Sequence, residues 1–219
     1  MRGMDDGKAE IGRLEAEIGR LRSLLAEREA LLAQRNGELA ELGAELKRIT
    51  RTDGLSGALS RTAALEALET ERQRAERYGR PLSVILLDLD RFKLVNDMHG
   101  PSAGDEAIRR LAGICRDCLR GTDLLGRYGG EEFLAILPEV GGEGALVAAE
   151  RIRAAMQAER FTAGDARFTV TVSGGVAALE ARWDLDRLLA NADAALYKAK
   201  EGGRNRVAAY GRVAHDSRH

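Results

Sequence analysis

The sequence predicts a mixed α+β domain, built on a largely antiparallel sheet and preceded by a long coiled-coil helix. Three observations carry that expectation. An aliphatic heptad repeat runs from Ile11 to Ile49, an apolar run Leu82–Leu87 ends in Asp88-Leu-Asp90, and two strand-like runs meet at Gly129-Gly130.

The heptad a positions are Ile11, Ile18, Leu25, Leu32, Leu39 and Leu46, and the d positions are Leu14, Leu21, Arg28, Arg35, Leu42 and Ile49. With no proline in the segment, such a repeat forms a coiled coil. Leu24 and Leu31 broaden the stripe where Arg28 and Arg35 interrupt it. One helix cannot bury that seam, so the segment predicts self-association, with a parallel dimer as the expected geometry. These residues do not fix the oligomer number. The coiled-coil segment is read as 1–51, a globular domain as 52–213 and a polar tail as 214–219.

From Thr50 to Ser60, Gly, Ser, Thr and Asp mark a turn, and Ser60 is placed to cap a helix from about Arg61 to Arg77 with Leu65, Leu68 and Ala75 inward. Leu82–Leu87 reads as a central strand buried on both faces. A loop is expected from Arg91 to Gly104 and a helix from about Asp105 to Leu119, with Asp105 as a possible cap. The pair of strands joined by Gly129-Gly130 reads as a hairpin with a primed two-residue turn needing positive φ at both glycines. Gly141-Gly142 opens a helix to about Arg160. Phe168 to Ala177 reads as one strand, Leu185 to Lys200 as the last helix, and Asn205 to Tyr210 as a short final strand. The order β-α-β-β-α-β-α-β predicts a ferredoxin-like, palm-type sheet flanked by helices.

A net charge of −1 gives no reason to expect nucleic-acid or membrane-surface binding, and with 4% aromatic residues base-stacking platforms are not expected either. No stretch approaches the roughly 20 apolar residues that span a bilayer, and the N-terminus lacks the apolar core of a signal peptide, so a cytoplasmic location is expected. Cys115 and Cys118 fall inside a helical pattern with no second Cys/His pair, and read as ordinary reduced cysteines.

Acids at the end of a buried strand are poorly placed for stability and well placed for a site. Asp88 is such a residue. Glu131 and Glu132 follow the Gly-Gly pair, where a plain hairpin would carry solvated polar residues. As strand neighbours the two glutamates should point to opposite faces.

Five blocks together resemble the GGDEF family of diguanylate cyclases: Asp53-x-Leu-Ser-Gly57, Asp88-Leu-Asp-Arg-Phe-Lys-Leu-Val-Asn-Asp97 continuing through Gly100 to Gly104-Asp105, Arg120-Gly-Thr-Asp123, Gly129-Gly-Glu-Glu-Phe133, and Lys200-Glu-Gly-Gly-Arg-Asn205. The resemblance covers about Asp53 to Ala209 and implies condensation of two GTP into cyclic di-GMP. It implies Asp88, the Leu89 carbonyl and Glu131 as ligands of two Mg²⁺ or Mn²⁺ ions per active site, in keeping with magnesium's preference for hard oxygens and substrate phosphates. Glu131, Glu132 and Lys93 would be catalytic, Glu132 as a metal contact or a proton acceptor and Lys93 at the transition state. Asn96 and Asp105 would read guanine, Lys200 and Arg204 the triphosphate, and Gly129 and Gly130 would let phosphate approach bare backbone.

Arg120, Asp123 and Arg151 match the family's inhibitory cyclic di-GMP site. Implied partners are GTP, cyclic di-GMP and a second copy of the chain. The sequence departs from the family at Gly100-Pro101, where Gly-His is frequent, and at Gly54, Ser60 and Arg91. Glu131 replaces a frequent Asp and keeps the carboxylate. A non-catalytic module that binds cyclic di-GMP is the alternative reading, and an intact hairpin argues against it.

Overall fold

The computed structural model describes residues 2–49, 51–164 and 166–211, with side chains of the first helix described at 14, 17–39 and 41–43. The chain divides into two units, Met1–Ile49 and Thr50–His219.

The first unit is one helix, α1 (Arg2–Ile49). Its described heptad residues Leu14, Ile18, Leu21, Leu25, Leu32, Leu39 and Leu42 are all exposed, as are Leu24 and Leu31. The aliphatic stripe is thus open to water along the described part of the helix. The side chains of Ile11, Leu46 and Ile49, and the polar tail, lie outside the described residues.

The second unit begins with α2 (Arg61–Tyr78), whose N-cap Ser60 accepts from the Ala63 amide as its sequence position predicts. Then come β1 (Leu82–Leu89), α3 (Phe92–His99), α4 (Pro101–Cys118), β2 (Leu124–Arg127), β3 (Glu132–Pro138) and α5 (Gly142–Ala158). The chain continues through β4 (Phe161–Ala163), β5 (Ala166–Phe168), β6 (Val172–Ala178), α6 (Leu185–Glu201) and β7 (Val207–Ala209). The main sheet has the order β2-β3-β1-β6-β7. Neighbours are antiparallel except β6 and β7, which run parallel.

Every residue of β1 is buried because helices cover both faces of the sheet. Leu82, Val84 and Leu86 alternate onto the face packed by α2 and α6, with Leu68, Leu188 and Leu196. Ile85, Leu87 and Leu89 face the layer that includes Leu111 of α4 and Ile152 of α5. Helix α6 lies very close to the sheet. A Cβ on Gly175 of β6 would fall 2.1 Å from the Ala192 carbonyl oxygen and 2.3 Å from the Leu196 nitrogen.

Three expectations need correction. The interval 91–104 is not a loop: it holds α3 and the first turn of α4, separated by Gly100 at φ 84°. Pro101 takes the first position of α4, where its missing N–H costs nothing, and it disfavours helix at the residue before it. Asp105 therefore lies inside α4 and is no cap. Phe168–Ala177 is not one strand either. Phe168 closes a small separate hairpin, β4–β5, and the main-sheet strand starts at Val172. Finally, neither Gly129 nor Gly130 has positive φ. Four residues, not two, separate β2 from β3, so a primed turn is not demanded. Among the described residues, no helix is long and apolar enough to cross a membrane.

Candidate active site

The end of β1 concentrates the polar residues. Asp88 sits in register between Glu132 of β3 and Ser173 of β6. Directly opposed residues of antiparallel strands share a face with Cβ atoms about 5 Å apart, so Asp88 and Glu132 share one. It is the face covered by α6, and the last turn of that helix brings the Lys200 ammonium to 2.7 Å from Asp88 Oδ2. Glu131 belongs to the turn rather than the strand, and its carbonyl accepts from the Leu89 amide at 3.4 Å. The Glu132 carboxylate folds over Gly129, where a Cβ would meet Oε2 at 2.2 Å.

Burial pushes the Asp88 carboxyl above its usual range. Lys200 and Arg204 pull it down and Asp90 adds to the rise. Burial likewise raises Glu131 and Glu132, and the charge on Asp88 raises both further, against Lys200. Three acids thus crowd a partly buried corner that repels its own charge. Such a corner accepts cations.

Its donors are hard carboxylate oxygens, which fits magnesium or manganese, and Lys200 is the cation now beside Asp88. Among the described residues, no three His, Cys, Asp or Glu side chains gather tightly enough to enclose an ion. A partial protein shell is how magnesium is usually held, with substrate phosphates and water completing it.

The β2–β3 turn is clamped from outside. The Arg127 guanidinium donates to the Gly130 carbonyl from Nε at 3.1 Å and Nη2 at 2.6 Å, and from Nη1 to both Asp53 oxygens at 3.1 and 3.2 Å. Asp53 also accepts from the Ser56 amide and hydroxyl. Leu59, at the far side of that turn, pairs with the backbone of β2. The start of the domain and the Gly-Gly turn are therefore one hydrogen-bonded assembly.

Helices α3 and α4 bring Asn96 against Gly104, the neighbour of Asp105. Asn96 Oδ1 is buried and has no hydrogen-bond partner. A Cβ on Gly104 would lie 2.0 Å from that oxygen. Asp105 is half exposed, with Arg109 at 3.9 Å. The buried Asn96 oxygen is thus an acceptor without its donor, close in the fold to a half-open carboxylate. Lys93 is exposed on the first turn of α3, and Arg204 is exposed after α6.

Arg120 and Asp123 meet through the backbone, not as an ion pair. Asp123 Oδ2 accepts from the Arg120 amide at 2.8 Å, while its Oδ1 is buried and unpartnered. The Arg151 guanidinium donates to the Cys118 carbonyl, two residues before Arg120. A cleft of about 340 Å³ is lined by Arg116, Arg120, Asp123 and the 52–59 turn.

The family described as diguanylate cyclase, GGDEF domain, matches residues 50–206. The chain belongs to the GGDEF family. Its GGDEF domain is 40% identical over 156 residues to the diguanylate cyclase DgcP of Pseudomonas aeruginosa, covering 71% of this chain and 23% of that protein. To the diguanylate cyclase DgcM of Escherichia coli K12 it is 39% identical over 164 residues, covering 75% of this chain and 39% of that one. The chain thus spans well under half the length of these relatives. The crystal structure of the coiled coil and GGDEF domain of DgcB from Caulobacter crescentus, in complex with c-di-GMP, superposes with a TM-score of 0.70. It is 32% identical, covering 83% of this chain and 98% of that one.

Within the GGDEF domain, the structure gathers Asp88, Glu131, Glu132, Lys200 and Arg204 into one electrostatic group and sets Asn96 near Asp105. Lys93 makes no contact with that group. Arg127 and Gly104 were not singled out by sequence reasoning as site residues. A charged residue at the end of a buried strand was the available signal for Arg127. For Gly104 there was only its place before Asp105.

Proposed function

We propose that this GGDEF domain is a diguanylate cyclase, joining two GTP into cyclic di-GMP with release of two pyrophosphates, as a homodimer held by α1. The observation that carries the proposal is the convergence of three acids with Lys200 and Arg204 at the end of β1, the strand that leads directly into the Asn96 helix. The names of the relatives support it.

Asp88, the Leu89 carbonyl and Glu131 would hold two Mg²⁺ or Mn²⁺ ions, which would supply Lewis-acid stabilisation of charge on the α-phosphate and the departing pyrophosphate. Asp105 accepts from guanine N1–H and N2–H, and Asn96 completes the contact. Adenine offers no such donor pair, so it would leave buried polar groups unpaired. Lys200 and Arg204 hold the triphosphate over Gly129 and Gly130, and Lys93 neutralises charge that grows at the transition state. The 3′-oxygen of the nucleotide on the facing domain bonds to the α-phosphorus while the bond to the pyrophosphate oxygen breaks. Glu132 takes the hydroxyl proton. The same step in the opposite sense closes the ring, which requires two copies. The coiled coil raises the effective concentration of one domain at the other.

Arg120, Asp123 and Arg151 form the product site of this reading. Arginine makes paired contacts to phosphate or guanine, and the free Asp123 oxygen accepts from guanine. Calorimetry with cyclic di-GMP on Arg120→Ala tests it, and undiminished affinity would remove it.

The function itself is tested by incubating the full chain with GTP and Mg²⁺ and identifying the products by chromatography. Cyclic di-GMP and pyrophosphate are expected, with turnover abolished by Asp88→Ala. An intact chain that binds cyclic di-GMP but releases no pyrophosphate would favour the binding module instead.

A further inference from the structure

Asp90 is assigned no contact with metal or nucleotide in the reading above, yet it is among the most deeply engaged polar groups of the domain. The residue is 6% exposed. Oδ1 accepts from the Ser173 hydroxyl at 2.7 Å. Oδ2 accepts from the Thr171 hydroxyl at 2.7 Å and from the Asn205 amide at 2.9 Å. Two of these donors lie on or beside β6, and the third lies 115 residues downstream in the turn after α6.

That turn is unusual. Gly203, Arg204 and Asn205 have φ of 113°, 64° and 47°, three consecutive residues in the left-handed half of backbone space, two of them not glycine. For an arginine this conformation is uphill, and it persists only where the surroundings hold it. Several contacts do so here. The Asn205 amide is bound by Asp90, and its side-chain oxygen accepts from Arg153 Nη1 of α5 at 3.0 Å. The Arg204 amide donates to the Ala199 carbonyl at 3.1 Å, and the Arg206 carbonyl accepts from Gly174 at 3.0 Å. Among the contacts of the described residues, the Asp90 contact is the one that ties the turn to the end of β1, the strand that carries Asp88. The turn starts from the residue beside Asp88: the Gly203 amide donates to the Lys200 carbonyl at 3.3 Å, and the Lys200 ammonium lies 2.7 Å from Asp88 Oδ2.

We propose that Asp90 is a positioning residue for phosphate binding: it holds the left-handed turn at 203–205 and so aims Arg204 at the triphosphate. The inference rests on the reading of this corner as a GTP site. It adds a cause for the placement of Arg204, which the sequence alone leaves as a surface arginine. Without the carboxylate, Arg204 and Asn205 relax toward ordinary backbone angles and the guanidinium leaves the phosphates.

The test is calorimetry of a non-hydrolysable GTP analogue with the full chain and Mg²⁺. Asp90→Ala is expected to weaken the analogue about tenfold, the loss of one charge-assisted hydrogen bond at Arg204. Asp90→Asn, which keeps one acceptor for Asn205, is expected to cost about threefold, and it carries the same test where Asp90→Ala does not fold. Both effects should vanish when Arg204 is already alanine, and should multiply fully with Asn96→Ala, whose contact is independent. A merely structural Asp90 would weaken binding in the Arg204→Ala background as well. That result, or wild-type affinity in Asp90→Ala or Asp90→Asn, overturns the inference. A wild-type chain that binds the analogue and releases no pyrophosphate from GTP sinks the cyclase reading alone. One that turns over GTP while the Asp90 variants keep full affinity sinks this inference alone.

Discussion

Gly104 shows how much of the site depends on an absent side chain. The atom its Cβ would strike is the end of the Asn96 side chain, which can swing aside, while Phe92 Cζ would stand at 3.0 Å. Gly104→Ala should therefore leave the fold intact and displace Asn96, raising KM for GTP about tenfold and narrowing the preference over ATP, as loss of a buried polar contact does. Steady-state kinetics with both nucleotides check this. The acids make the opposite kind of prediction. Glu132 carries a raised carboxyl, so it binds a proton more readily folded than unfolded and costs stability near neutral pH. Glu132→Gln should raise the melting temperature of the nucleotide-free chain by a few degrees and lower kcat. At this scale the sequence showed which residue types matter, because acids at a buried strand end have few structural reasons to be there. The unpartnered Asn96 oxygen and the Asp90 cage involve residues 8 to 115 positions apart, and only the folded chain reveals them.

The elements were legible where periodicity was strong and illegible where they were short. Strand β1, helices α2, α5 and α6, and the Ser60 cap follow directly from apolar pattern and capping chemistry. Helix α3 was hidden because eight residues with Lys, Asn and Asp resemble a loop, although Gly100-Pro101 marked its end. The same shortness hid β4–β5. The link between Asp53 and Arg127 joins two such elements, the opening turn and the β2–β3 hairpin. Burial alone would raise the Asp53 carboxyl, but the Ser56 hydroxyl and amide and the Arg127 guanidinium outweigh it and hold it below its usual 3.8. A lowered carboxyl stabilises the fold above its free value and loses that contribution as pH falls through the folded one. Asp53→Asn should thus cost about 1 kcal/mol at pH 7, with the difference from wild type fading below pH 4. Urea melts at pH 7 and pH 3 decide it. A difference that persists at pH 3 would place the effect elsewhere.

At the scale of the whole molecule, one helical unit with an open aliphatic stripe precedes one GGDEF domain. The stripe was plain in the sequence, since a seven-residue aliphatic repeat sustained over this length is the pattern of a coiled-coil seam. Arg28 and Arg35 interrupt it at d positions where aliphatic residues pack best. The pair Arg28→Leu and Arg35→Leu should tighten self-association about tenfold or more, read by dissociation constants from sedimentation equilibrium, because charged groups at a core layer trade stability for register. Specific activity should fall on dilution of the wild type and persist to lower concentration in that variant. The proposed catalysis requires the acids of β1 and the hairpin to share divalent cations with a nucleotide's phosphates. Its most direct test is calorimetry of a non-hydrolysable GTP analogue on the wild type and on Asp88→Asn, each with and without Mg²⁺. Magnesium should strengthen binding to the wild type about tenfold or more and leave Asp88→Asn nearly unchanged. Equal gains in both proteins, or none in either, would contradict it.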